Sequence, residues 1–111
     1  MNMLLVEGKQ ISLDKDGYLS ELDDWSKPVA EALAEREELQ LTGAHWEIIT
    51  LLREFYAEFQ LSPATRPLIK YVALKLGPEI GNSLHLNRLF KGTPAKLAAK
   101  LAGLPKPTNC L

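Results

Sequence analysis

The 111-residue sequence has few of the residues that make disulfides and metal sites, with one cysteine, Cys110, and two histidines, His45 and His85. One thiol closes no internal disulfide, and a structural zinc site would have to draw on carboxylates, so both kinds of staple are set aside. No stretch approaches the roughly 20 apolar residues that cross a bilayer. The opening MNMLLVEGKQ lacks the cationic start, apolar run and cleavage site of a secretory signal. These absences predict a soluble, cytosolic protein in a reducing compartment, where a free thiol persists. Aromatic residues make up 7% of the chain. Trp46, Phe55, Tyr56 and Phe59 read as core, without the interleaving of aromatic and basic residues that stacks bases. Internal repeats and low-complexity tracts are absent as well.

Acidic residues are scarce in one half only. Residues 1–60 carry five Lys or Arg against thirteen Asp or Glu, and residues 61–111 carry eight against one, so the net charge of −1 hides −8 beside +7. Two readings fit: the opposite halves attract within the fold, or the basic half faces an anionic partner or an anionic sulfur. With 46% hydrophobic residues, the length suits a single domain with one modest core.

The segment Leu4 to Leu13 predicts a β-hairpin turning at Glu7-Gly8, which must pack on something because an isolated hairpin is marginal in water. Asp14 to Gly17 forms a second turn, after which Tyr18 and Leu19 extend the ribbon. Helical spacing begins at Ser26 as N-cap, with Pro28 in the first turn, Val29, Leu33 and the stem of Arg36 facing inward, and Trp25 stapling the start. The strongest periodicity runs from Thr42 to Phe59, where His45, Ile48, Ile49, Leu52, Phe55, Tyr56 and Phe59 recur at three- and four-residue steps and predict the central core helix. Ser62-Pro63 breaks it. Leu68, Ile69, Val72, Ala73 and Leu76 mark a third helix ending at Gly77-Pro78, and a fourth runs from Asn82 or Ser83 to Phe90. Thr93 caps a fifth, with Pro94 at its first position, Lys96 to Ala102 as its body and Gly103 as its stop. The expected fold is mainly α: a compact bundle of about five helices with a short N-terminal β-hairpin, forming one domain over 1–102, and a flexible C-terminal arm over 103–111.

That arm reads GLPKPTNCL. Its two prolines remove amide donors and bias the backbone toward an extended form, so the nine residues from Gly103 could stretch about 30 Å. A penultimate cysteine there is either a terminal thiol of no consequence or a group that visits a partner's active site. Lys106 favours its thiolate and the carboxylate of Leu111 opposes it, which leaves the isolated thiol near the ordinary cysteine range.

Several stretches carry a family likeness in order along nearly the whole chain: LLVEGKQISLDKDGYL, DDWS, HWEIITLLREFYAEFQLSPATRPLIK, GNSLHLNRLF, GTPAKLAAKLAGLPKPT and the penultimate Cys110. In these the chain resembles the DsrC/TusE family of sulfur-relay proteins. The resemblance implies a helical fold with a small hairpin and a C-terminal arm, and a penultimate cysteine that accepts sulfur as a persulfide. The family divides by a second cysteine eleven positions earlier, and here that position is Ala99. Without a second thiol the arm closes no internal disulfide and forms no trisulfide, so the chain looks like the TusE branch. The implied activity is that of a sulfurtransferase acting as a persulfide carrier, without metal or organic cofactor. The implied partners are an upstream heteromeric sulfur-transfer complex (TusBCD-like) and a downstream tRNA 2-thiouridylase with its tRNA, for thiolation of the wobble uridine.

Around the arm, Lys91, Lys96, Lys100 and Lys106 read either as solvated lysines or as an attraction for an acidic partner surface or tRNA phosphate. Gly103, Leu104, Pro105 and Pro107 belong to the same candidate partner-binding set, and Arg66 and Arg88 are candidates to line the groove where the arm rests. His45 and His85 read as packing or capping residues. The rival reading is a nucleic-acid-binding helix-turn-helix over Thr65 to Phe90, reading bases with Asn82, Ser83, His85, Asn87 and Arg88. Against it, Leu84, Leu86, Leu89 and Phe90 need burial and leave a poor reading face. A third reading, a sulfite-reductase-associated DsrC-like subunit, is weakened by Ala99.

Overall fold

The computed structural model describes residues 2–107. The chain begins with strands β1 (Asn2–Val6) and β2 (Lys9–Leu13), paired antiparallel with Leu4 opposite Ile11 and Val6 opposite Lys9. Glu7 and Gly8 between them both take positive φ, the conformation whose twist matches a two-residue hairpin. Leu4, Val6, Ile11 and Leu13 alternate onto one buried face, the period-two pattern that fixes the register. Leu19 adds a single bridge to Leu13. The hairpin is the predicted one, with β1 starting two residues earlier.

A 3-10 turn (Leu22–Asp24) leads to helix α1 (Lys27–Arg36), whose N-cap Ser26 accepts the amide of Val29 as expected. Val29, Ala30, Leu33 and Ala34 are buried. Arg36 departs from expectation: it is exposed, and its guanidinium donates 2.6 Å to the carbonyl of Met3 in β1. Helix α2 (Gly43–Phe59) buries His45, Ile48, Ile49, Leu51 and Leu52. Its last turn faces outward, with Phe55 and Tyr56 half-buried and Phe59 49% exposed. Helices α3 (Thr65–Leu76) and α4 (Ser83–Leu89) follow, then α5 (Pro94–Leu101). Thr93 precedes α5 as expected but makes no side-chain cap bond, its hydroxyl instead donating 3.4 Å to the carbonyl of Phe90.

The hub of the fold is α5, not α2. It packs on α1, α2, α3 and α4, and Pro94, Ala95, Leu97, Ala98, Ala99 and Leu101 are all buried. Small side chains let four helices approach one short axis closely, and the periodicity of larger residues on α2 does not reveal that.

His45 joins two helices. Its Nδ1 accepts the amide of Thr42 at 3.0 Å and lies 2.9 Å from the Thr42 hydroxyl, while Nε2 lies 2.9 Å from the carbonyl of Leu89. A carbonyl only accepts, so Nε2 carries the proton and the ring is the Nε2–H tautomer. The ring also meets Phe90 edge-on at 5.4 Å. The capping and packing role expected of His45 is what the structure holds. His45→Leu should remove a cap and leave the Leu89 carbonyl unpaired, costing about 2–4 kcal/mol in a chemical denaturation curve.

Candidate functional site

The site is built where α5 ends. Leu101 and Ala102 present last-turn carbonyls, which a helix leaves without internal partners. Two side chains from distant sequence supply donors. The indole Nε1 of Trp25 donates 2.9 Å to Leu101 and Nη1 of Arg53 donates 2.6 Å to Ala102. The guanidinium lies over the Trp25 ring at 3.9 Å from its centroid, a cation–π arrangement that braces the two donors against one another. Burial pushes the Arg53 pKa down from its usual value, and the group remains a cation at neutral pH.

The backbone then turns through Gly103 at φ +71°, with its α-carbon pressed on the indole: a β-carbon there would lie 2.3 Å from Cδ1 of Trp25. The amides of Gly103 and Leu104 donate back to the carbonyls of Lys100 and Ala99 at 3.1 and 2.9 Å, so α5 ends in a left-handed glycine turn as its sequence predicts. Leu104 is buried. A third donor follows, the buried hydroxyl of Ser62, 2.6 Å from the carbonyl of Pro105. Lys106 pairs with Asp16 at 3.5 Å, and Pro107 is buried. The arm expected from Gly103 onward therefore has its first five residues held on the domain, through the buried Leu104 and Pro107, the Ser62 bond to the Pro105 carbonyl and the Lys106–Asp16 pair. Cys110, on which the functional reading turns, lies outside the described residues.

The expected lysines divide. Lys91 donates to the carbonyls of Glu37 and Glu38 beyond the C-terminal end of α1, and Lys100 pairs with the Glu37 carboxylate at 3.2 Å. With the Lys106–Asp16 pair, these contacts join the basic half to the acidic half, as the first reading of the charge division expects. Lys96 is exposed and lines, with Lys100, Lys106, Tyr18, Asp16 and Glu37, a groove of about 220 Å³ beside the tail root. The Tyr18 hydroxyl forms its floor against α5, donating 3.0 Å to the carbonyl of Lys96. Arg66 and Arg88 are exposed on α3 and α4 and are not in that lining.

Sequence reasoning passed over Arg53 and Ser62, and assigned Trp25 to the start of α1 rather than the end of α5. Their partners are backbone carbonyls 43 to 76 residues away, which no local pattern marks. The helix-turn-helix rival fares poorly on the geometry. Asn82 caps α4 through Oδ1 to the amide of His85 and gives both amide hydrogens to Pro78 and Glu79. Leu84, whose expected burial counted against this rival, is instead 61% exposed on the same short helix, while Leu86 and Phe90 are buried as expected. No tight, strongly salt-dependent shift of short DNA duplexes is expected at low salt, and one that survives Cys110→Ala would reverse this assignment.

Among the described residues, no group of three or more His, Cys, Asp or Glu could hold a metal ion, and no helix is long and apolar enough to cross a membrane. Hairpin, five helices and clamped root define a small helical domain that holds the base of its own C-terminal segment. Residues 5–111 match the family described as DsrC like protein, and the chain belongs to that family, as its sequence resemblance implies. The chain is 52% identical over 109 residues to the sulfurtransferase TusE of Salmonella choleraesuis (strain SC-B67), spanning 98% of this chain and 100% of that relative. The solution structure of Allochromatium vinosum DsrC superposes with a TM-score of 0.91 at 51% identity, over 99% of this chain and 98% of the other. The oxidized γ-subunit of the dissimilatory sulfite reductase (DsrC) from Archaeoglobus fulgidus gives 0.83 at 37% identity, over 99% and 100%.

Proposed function

We propose that this chain is a sulfur carrier that accepts sulfane sulfur as a persulfide on Cys110 and relays it to a tRNA 2-thiouridylase for 2-thiolation of the wobble uridine. The observation that carries the reading is the full-length similarity to proteins named sulfurtransferase TusE, in a chain whose one thiol is penultimate. Ala99, fully buried within α5, favours a single-thiol carrier over a sulfite-reductase subunit of the two-cysteine kind. The donor is an upstream heteromeric complex of the TusBCD kind, and the compartment is the cytoplasm.

In the loading step the Cys110 thiolate attacks the outer sulfur of a donor persulfide. A new S–S bond forms at Sγ, the donor's S–S bond breaks, and the donor leaves as a thiolate with the bonding pair. Delivery reverses the roles: an acceptor thiolate attacks the outer sulfur and Cys110 departs as thiolate. Oxidation states balance across the two steps, so neither an external oxidant nor a metal enters. Partner surfaces meet Lys96, Lys106 and Pro105 at the tail root, where Gly103, Leu104 and Pro107 are buried; Lys91 and Lys100 are engaged with Glu37 and Glu38, and Arg66 and Arg88 lie further out.

Loading is tested by intact-mass measurement after incubation with a cysteine desulfurase, cysteine and the upstream carriers. A gain of about 32 Da, reversed by dithiothreitol, is the expected result. A wild-type chain that gains no sulfur under conditions that charge its donor would sink the proposal.

A further inference from the structure

We infer that Trp25, Arg53 and Ser62 are positioning residues that fix where the Cys110 segment leaves the domain, so that sulfur exchange with a protein partner depends on them while the reactivity of the thiol does not. The inference rests on the reading of Cys110 as the sulfur-bearing residue.

Three side chains from three places in the sequence converge on three carbonyls within five residues: Trp25 on Leu101, Arg53 on Ala102 and Ser62 on Pro105. None is needed to end α5, since the Gly103 turn already returns amides to Lys100 and Ala99. What the donors add is a fixed heading. Arg53 and the indole brace one another by stacking, the indole blocks any side chain at Gly103, and Ser62 holds the carbonyl two residues further along. Cys110 is three residues beyond Pro107, so covalent geometry keeps its α-carbon within about 10–11 Å of that of Pro107. An arm free from Gly103 would let its end reach about 30 Å. The clamp therefore fixes the point from which the last residues start, and a partner must dock near that point to meet the thiol. Confinement of this kind raises the effective concentration of a reacting group for a docked partner and does nothing for a small diffusing reagent.

The test compares two persulfide donors on the full chain and on Ser62→Ala, Arg53→Lys and Ser62→Thr. Loading of Cys110 from the persulfide-charged upstream complex should slow about tenfold in Ser62→Ala and Arg53→Lys, and recover in Ser62→Thr, which keeps the hydroxyl. Loading from glutathione persulfide at the same pH should change less than about twofold in all of them. Equal rates with the protein donor in wild type and Ser62→Ala overturn the inference and leave sulfur carriage intact. Equal slowing with both donors also overturns it, because the effect then acts on the thiol rather than on its placement. Ser62→Ala removes a single hydroxyl from a loop, so the comparison stands even where Arg53→Lys lowers stability. Failure of wild type to load from either donor removes the underlying reading instead.

Discussion

Cys110→Ser abolishes sulfur loading: the variant is expected to show no gain of about 32 Da from any donor, protein or small molecule. Oxygen in place of sulfur has no sulfane chemistry, and a serine hydroxyl lacks the ionisation that makes a cysteine thiolate nucleophilic near neutral pH. The loss should be complete rather than partial, because the chain holds no second thiol and Ala99, at the position of the family's other cysteine, offers only a methyl group sealed in the core. In cells that depend on this chain, wobble-uridine 2-thiolation measured by nucleoside mass spectrometry should fall to the level of a deletion. Undiminished thiolation with Cys110→Ser would place the sulfur on some other protein.

The second large effect is on stability. Gly103→Ala should cost about 2–5 kcal/mol, a substantial part of the 5–15 kcal/mol typical of a domain. Two terms add. An L-residue at φ +71° sits in the left-handed region at roughly 1–2 kcal/mol. The new methyl would also lie 2.3, 2.6 and 2.8 Å from Cδ1, Cγ and Cβ of Trp25, an overpacking that costs about 1–3 kcal/mol when neighbours must shift. The indole cannot move freely, since its Nε1 holds Leu101 and Arg53 covers its face. The penalty should therefore be coupled to the indole: in a Trp25→Ala background the added cost of Gly103→Ala should shrink by at least about 1 kcal/mol in denaturant titrations. Independent, additive costs would show that the indole is not what excludes the side chain.

Much of this was legible along the chain. Glu7-Gly8 between alternating apolar residues specifies the hairpin, and Ser26, Thr42, Asn82 and Gly103 mark helix ends through capping chemistry that operates within three or four residues. His45 was readable too, because its partner Thr42 is one turn away. The proposal of Cys110 as the carrier thiol also starts from sequence, since a lone penultimate cysteine after AGLPKP is a property of order and composition. The hub role of α5 was not readable, because alanine counts little in hydrophobic periodicity yet permits the closest helix approach. Nor was the exposure of Leu84, Phe59 and Arg36, which depends on where neighbouring elements stop.

The local chemistry of sequence determined the elements and their ends, because each of those is decided by neighbours along the chain. Only the tertiary structure decided that Trp25, Arg53 and Ser62 meet the carbonyls at the close of α5, and so where the terminal segment departs. Those bonds join groups 43 to 76 residues apart, and such pairs are brought together by burial of the common core rather than by any preference of the residues themselves.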